Sequence, residues 1–155
     1  MRIGLLTGGG DVPGLNAAIR AVVKRGEGEH GHTIVGFRNG WRGVVDGDVT
    51  PVSRQQIRNV LQVGGTMLGT ARYHPTAADG GIEAVLATLE QERIDALICI
   101  GGDGTLHAGD IASSLTGAIV KDPVQDRIVW LEYLQTVVKE RDGWKDLYRA
   151  CHEVL

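Results

Sequence analysis

The chain has 155 residues, 43% hydrophobic and 23% charged, which is the balance of one globular domain with enough chain to bury a core. Sixteen basic and nineteen acidic residues give a formal charge of −3, and no Lys/Arg cluster offsets it, so a nucleic-acid surface is not expected. No apolar stretch approaches the ~20 residues that span a bilayer, and the opening Met1-Arg2-Ile3-Gly4-Leu5-Leu6-Thr7 has no signal-peptide core, so no membrane contact and a cytoplasmic location are expected.

Arg2 to Thr7 reads as a short buried parallel strand. It runs into Gly8-Gly9-Gly10-Asp11-Val12-Pro13-Gly14 and then into an amphipathic helix, with Leu15, Ala18, Ile19, Val22 and Val23 on one face. Arg20 and Lys24 sit four apart on a more polar face of that helix. The glycine turn lacks the Gly-Lys-Ser/Thr of a P-loop, and Asp11 and Pro13 interrupt the spacing of a dinucleotide fingerprint. Thr33 to Phe37 predicts a second strand, and Gly40 to Val49 a loop with one or two short strands. Ser53 with Gln56 forms a capping box that opens a helix through about Leu61. A further helix is predicted from Ile82 to Glu92, with Ile82, Val85, Leu86 and Leu89 inward.

The apolar run Ile94 to Ile100 predicts a strand that ends in Gly101-Gly102-Asp103-Gly104-Thr105 and passes into a helix. Glycines let a backbone approach a bulky anion, because no Cβ intervenes. Asp103 places a carboxylate where a phosphate-bound Mg²⁺ takes an oxygen ligand. Thr105 offers a hydroxyl at a helix start, where backbone N–H groups and the dipole favour negative charge. A lone glycine cluster also reads as a plain strand-to-helix turn; the acidic residue inside this one favours phosphate. Two such turns closing two strands of one sheet suggest a nucleotide lying across the strands' carboxyl ends.

Composition changes after about residue 106. Of 23 glycines, 22 precede residue 118, whereas two of three Trp and two of three Tyr follow residue 129. Lys121 to Leu155 reads as almost purely helical, with Asp122, Pro123 and Gln125 supplying start signals. Ile128, Leu131, Leu134 and Val138 form an apolar stripe there, and Trp144, Leu147, Tyr148 and Cys151 a shorter second one. These helices either cover a sheet face or form a partner-binding, oligomerising tail. Cys99 and Cys151 read as reduced packing thiols. His30 and His32 form the one close histidine pair, a solvated turn rather than a metal site.

Leu6-Thr7-Gly8-Gly9-Gly10-Asp11-Val12-Pro13-Gly14-Leu15-Asn16-Ala17-Ala18-Ile19-Arg20 closely resembles the opening of bacterial 6-phosphofructokinases. Gly64-Gly65-Thr66-Met67-Leu68-Gly69-Thr70-Ala71-Arg72-Tyr73 and the Gly-Gly-Asp-Gly-Thr turn resemble the same family, in its order and spacing. NAD and lipid kinases look similar at the last turn, but not at the first two segments. The resemblance covers about residues 1–106 and implies a three-layer α/β sandwich with a mostly parallel sheet. On this reading residues 1–106 are a nucleotide-binding lobe, and residues 107–155 a divergent, mainly helical tail packed on it.

The resemblance further implies that Gly10 lies beside the transferring phosphate, that Arg72 and Tyr73 pack on the nucleotide, and that Gly102, Asp103, Gly104 and Thr105 are the phosphate loop. Asp103 would be the Mg²⁺ ligand. In the family, glycine at position 104 goes with ATP and aspartate with pyrophosphate, so Gly104 points to ATP. Arg20 and Lys24 match positions that bind an allosteric nucleotide phosphate at a subunit interface in some members; a solvated helix face is the other reading. The implied activity is phosphoryl transfer from Mg-ATP to fructose 6-phosphate, giving fructose 1,6-bisphosphate, in a homo-oligomer. The family's catalytic base stands in a Thr-Ile-Asp-Asn-Asp segment that this sequence lacks, and neither Asp122 nor Asp126 is assigned that role. Family members are about twice as long, so the isolated chain is expected to be a poor kinase. The alternative is a non-catalytic nucleotide-binding or regulatory unit whose helical tail binds a partner.

Overall fold

Short apolar runs alternate with amphipathic segments along the first hundred residues, and in the computed structural model they become the strands and covering helices of one α/β sheet. The structure describes residues 1–10, 13–105, 107–109 and 112. In chain order the elements are β1 (Arg2–Thr7), α1 (Leu15–His30), β2 (Thr33–Phe37), α2 (Trp41–Asp46), β3 (Val49–Pro51), α3 (Gly81–Gln91) and β4 (Ala96–Ile100). Short 3₁₀ turns occupy Val60–Gln62 and Pro75–Ala77, and residues 103–105 and 107–109 are helical.

The strand order is β3-β2-β1-β4. β1 is parallel to both neighbours, with Leu5 opposite Gly36 of β2 and Ile98 of β4. β3 runs antiparallel on the edge beside β2 and ends in Pro51, a residue that cannot donate to a ladder. Side chains alternate across the pleat, so each strand feeds two cores. On one face Ile3, Leu5, Ile34, Ala96 and Ile98 pack with Ile19 and Val23 of α1 and with Val52, Ile57 and Leu68. On the other, Leu6, Val35, Phe37, Leu97 and Cys99 pack with Trp41, Val44, Val85 and Ala108. The result is the three-layer sandwich, with α1 on one face and α2 and α3 on the other. Burial on both faces explains why β1 and β4 read as continuous apolar runs.

The segment from Gly40 to Val49 is not a loop with strands, because α2 occupies most of it. Its glycines serve the helix. Gly40 starts it at φ 62°, ψ −136°, Gly47 closes it in the left-handed region, and Gly43 packs against the backbone of Arg38. Half of the Ser53 box forms: the Ser53 N–H donates to Gln56 Oε1 at 2.8 Å, but the Ser53 hydroxyl donates to the same oxygen at 3.2 Å and the Gln56 N–H donates to the Ser53 carbonyl instead. No helix through Leu61 follows; the chain continues in turns that bury Ile57 and Val60 against the α1 face. So short a helix has little stability of its own, and the packing of those two side chains decides the path. α3 is shifted one residue from its predicted bounds, with Val85 fully buried and Ile82, Leu86 and Leu89 half-buried. β4 begins two residues later than predicted, because Asp95 exchanges hydrogen bonds with Arg2: its N–H donates to the Arg2 carbonyl, and its Oδ2 accepts the Arg2 N–H. The predicted tail helices, with Asp122 and Asp126, lie outside the described residues. No helix among the described residues is long and apolar enough to cross a membrane.

Candidate functional site

The register pairs Thr7 with Ile100, so β1 and β4 end side by side. The Gly8 N–H donates to the Ile100 carbonyl at 2.9 Å, carrying the ladder one residue into both glycine turns. Beyond that point the turns are held together by Thr105, which is only 4% exposed. Its Oγ1 lies where a Cβ on Gly8 would stand. A Cβ on Gly101 would lie 2.5 Å from the Gly8 carbonyl and 2.7 Å from Thr105 Oγ1. Thr105 is in turn fixed by α2: the buried Trp41 indole N–H donates to its carbonyl at 3.1 Å.

The outer parts of both turns are open. A Cβ on Gly10 or on Gly102 would meet no described residue within 4 Å. Gly102, Asp103 and Gly104 are exposed, and the Thr105 N–H closes the turn on the Gly102 carbonyl at 2.9 Å. The Asp103 carboxylate makes no hydrogen bond or ion pair with another described residue, which leaves its oxygens available to a cation.

The Gly64 to Tyr73 segment arrives at the same end of the sheet. Thr7 Oγ1 donates to the Gly69 carbonyl at 3.0 Å and shares a hydrogen bond with Thr66 Oγ1 at 2.8 Å. Asn16, in the first turn of α1 and 4% exposed, grips the segment twice. Its Nδ2 donates to the Val63 carbonyl at 2.8 Å and its Oδ1 accepts the Met67 N–H at 2.7 Å. The Asn39 N–H donates to the Leu68 carbonyl at 2.8 Å. Arg72 is exposed. Tyr73 is half-buried against the α2/α3 face, with the Arg42 guanidinium 5.4 Å from its ring centroid. A 2.6 Å hydrogen bond to Asp46 orients Arg42 and pushes its pKa above the ordinary arginine value, with the charge of Asp46 adding to the effect. The following residue, His74, lays its ring against Gly104.

Gly10, Arg72, Tyr73, Gly102, Asp103, Gly104 and Thr105 therefore belong to three segments that converge at the carboxyl ends of β1 and β4. Thr105 differs from the rest, since it is buried between the turns rather than exposed with them. Sequence reading missed Thr7, Asn16, Trp41 and His74. A buried polar residue on the apolar side of α1 was the available signal for Asn16; Trp41 gave none once its surroundings were read as loop.

Arg20 and Lys24 are not at this end. They line a separate cavity of about 540 Å³ together with Arg54, Gln55, Ile57 and Arg58. Among the described residues four cations and no carboxylate line that space, the electrostatics of an anion site. Arg54 and Arg58 come from the turns after β3, so spacing along α1 did not reveal them. Glu27 Oε2 accepts the Arg54 N–H at 2.8 Å and ties those turns to α1. His30 and His32 stack with centroids 5.5 Å apart. His32 is held below the usual histidine pKa, first by desolvation and then by the amino terminus and His30. Among the described residues no three His, Cys, Asp or Glu side chains gather as metal ligands.

Comparisons with known proteins place this geometry among relatives. The family profile described as Phosphofructokinase matches residues 2–128. A pyrophosphate–fructose 6-phosphate 1-phosphotransferase of Amycolatopsis methanolica is 51% identical over 116 residues, which are 75% of this chain and 33% of that protein. An ATP-dependent 6-phosphofructokinase of Mycobacterium tuberculosis is 46% identical over 129 residues, 79% of this chain and 36% of the relative. The crystal structure of Pichia pastoris phosphofructokinase in the T-state superposes with a TM-score of 0.71 at 34% identity, covering 79% of this chain and 13% of that one. The chain thus spans about a third of the length of the curated relatives it matches.

Proposed function

Since the chain belongs to the phosphofructokinase family, we propose that it carries the phosphoryl-donor part of a 6-phosphofructokinase site, binding Mg-ATP for transfer to fructose 6-phosphate. The observation that carries this reading is the convergence of three glycine-bearing segments at the carboxyl ends of β1 and β4, with the Asp103 carboxylate, unpaired among the described residues, between them. A ligand crossing a parallel sheet sits at that end of the strands.

In this reading residues 1–106 form the nucleotide-binding lobe and residues 107–155 a helical tail packed on it, in a cytoplasmic homo-oligomer. The open backbone at Gly10 and Gly102 lets phosphate oxygens approach. Arg72 supplies a guanidinium to the phosphates, and Tyr73, backed by Arg42, offers a ring to the nucleoside. Asp103 is a hard oxygen donor of the kind Mg²⁺ takes alongside phosphate oxygens and water, and it would hold the ion there. Bound Mg²⁺ would neutralise charge on the phosphates; phosphoryl transfer depends mainly on such positioning and neutralisation. Thr105 acts from beneath, keeping the two turns in register. No described residue is assigned as the base that takes the sugar hydroxyl's proton. Gly104 keeps the space beside an α-phosphate free of a carboxylate, which favours ATP. Pyrophosphate is the second reading, favoured by the donor named for the relative that is 51% identical. The cavity of Arg20, Lys24, Arg54 and Arg58 is proposed as the site of an effector phosphate.

Calorimetric titration of the chain with Mg-ATP and with Mg-pyrophosphate, using Asp103→Ala as the comparison, tests these assignments. Mg-ATP binding that weakens about tenfold or more in the variant is the expected result, on the scale of losing one charge-assisted contact. Tighter binding of pyrophosphate transfers the assignment to the second reading. Binding without turnover of fructose 6-phosphate defines a donor-binding unit rather than an enzyme. A folded chain that binds neither donor refutes the proposal.

A further inference from the structure

We infer that His74 is a specificity-determining residue of the donor cleft, walling the space over Gly104 and offering a ring N–H to a donor phosphate oxygen, an inference that rests on the reading of residues 101–105 as the phosphate loop. The ring meets Gly104 edge-on. A Cβ built on Gly104 would lie 2.6 Å from His74 Cε1 and 3.5 Å from both Nδ1 and Nε2. Cε1 thus occupies the side-chain space of position 104, and the two nitrogens stand on either side of it. Any group approaching Gly104 along that side comes within hydrogen-bonding range of an imidazole nitrogen.

The mount of the ring is firm although the ring itself is exposed. His74 is extended, at φ −120° and ψ 110°, and its carbonyl accepts the Ala77 N–H at 3.1 Å. Pro75 follows, fully buried, with Gly81 of α3 packed against its backbone. Arg72 and His74 are both exposed while Tyr73 between them is half-buried, the alternation of an extended chain, so the guanidinium and the imidazole emerge on one side. The His74 ring makes no hydrogen bond or ion pair with a described residue. A ring N–H without a partner among the described residues, held beside an exposed glycine turn and the Asp103 carboxylate, is placed to serve a ligand rather than the fold.

The contact has a second consequence. A Cβ at position 104 and the imidazole of His74 compete for one space, and the exposed ring is what must give. The two positions therefore act as a unit. A change at 104 alone must first displace the ring.

The test is titration of the full chain and its variants with Mg-ATP, combined with ¹H–¹³C NMR of the histidine Cε1–H signals, in which His74 is assigned by its loss in His74→Asn. We expect His74→Ala to weaken Mg-ATP binding about five- to tenfold, the effect of one hydrogen bond to a charged oxygen. His74→Asn, which keeps an N–H near the Nδ1 position, should recover most of that loss. The wild-type Cε1–H signal should shift along the binding isotherm, a response that a purely structural ring would not give. Gly104→Ala should cost more affinity with His74 present than in the His74→Ala background. If Asp103→Ala weakens binding while His74→Ala leaves affinity unchanged and the signal stays still, the role of His74 is refuted and the phosphate-loop reading stands. If the folded wild-type chain binds neither Mg-ATP nor Mg-pyrophosphate, both fall together.

Discussion

Replacing Trp41 with Phe should loosen both glycine turns through a single buried hydrogen bond. Trp41 is 2% exposed and its indole N–H is the donor to the Thr105 carbonyl. Phe leaves that carbonyl without its buried donor, a cost of about 1–3 kcal/mol. The smaller ring also vacates about 40 Å³, which at ~24 cal/mol per Å³ adds about 1 kcal/mol. The sum, about 2–4 kcal/mol, corresponds to a fall in the urea midpoint of roughly 1–2.5 M at an m-value near ~1.5–2 kcal/mol/M. Stability alone does not isolate the positioning role, so the comparison is Val23→Ala. Val23 is fully buried in the cluster on the opposite face of the sheet, and its truncation destabilises without touching either turn. Both variants are followed by urea unfolding and by Mg-ATP titration under conditions where each is more than nine-tenths folded. Trp41→Phe should weaken nucleotide binding severalfold, because Thr105 Oγ1 rests against Gly8 and Gly101 and moves with its own carbonyl. Val23→Ala should not. Equal affinities in the two variants, or a midpoint for Trp41→Phe within ~0.3 M of wild type, would refute the argument.

Three further outcomes follow from the same structure. Gly36→Ala drives a Cβ into the Leu68 side chain and to within 2.9 Å of Val52 Cγ2, so it should destabilise by about 1–3 kcal/mol, read as a lower unfolding midpoint. Arg58→Ala removes one of the four cations lining the second cavity and should weaken phosphate binding there severalfold, read by calorimetric titration with inorganic phosphate. His32 binds a proton less readily in the folded chain than in the unfolded one, so its neutral form favours folding above the ordinary histidine pKa of 6.5, and that contribution is lost as pH falls below it. Unfolding curves of His32→Gln between pH 5 and 7 should therefore be flatter with pH than those of wild type; an unchanged slope would remove His32 as the cause.

Much of the fold was legible because burial on both faces leaves a simple record. β1, β2 and β4 are runs in which almost every residue is apolar, and α1 carries its stripe from Leu15 to Val23. The errors fall where glycine was taken as punctuation. Gly40, Gly43 and Gly47 belong to the start, the packing face and the end of α2, and all three resemble loop residues in isolation. Ser53 and Gln56 make one of the two bonds of a capping box, yet that bond does not extend a helix that tertiary contacts at Ile57 and Val60 turn aside. The candidate site was legible where its residues stand in one stretch, and not where they come from several. Arg54 and Arg58 reach Arg20 and Lys24 only through the path of the chain after β3, and Trp41 meets Thr105 across 64 positions of sequence.

The glycines of the two turns look alike in sequence and have different physical reasons for being there. Gly8 is kept free of a side chain by Thr105, Gly101 by the Gly8 carbonyl and by Thr105, and a Cβ on Gly104 would meet the exposed His74 ring. Gly10 and Gly102 meet no described neighbour within 4 Å and have no positive φ, so the described residues place no demand for glycine at either. If glycine is needed at those two positions, a ligand needs it. Gly8→Ala should therefore lower the unfolding midpoint by an amount typical of overpacking, about 1–3 kcal/mol, whatever is in solution. Gly102→Ala should unfold with wild-type stability in the absence of ligand, yet bind Mg-ATP at least tenfold more weakly, because its Cβ projects into the space a phosphate must enter. The two substitutions are chemically identical and one turn apart, so the contrast between them isolates approach of the donor from packing of the backbone. A Gly102→Ala chain that binds Mg-ATP as wild type does would show that the open face of this turn is not where the phosphates lie.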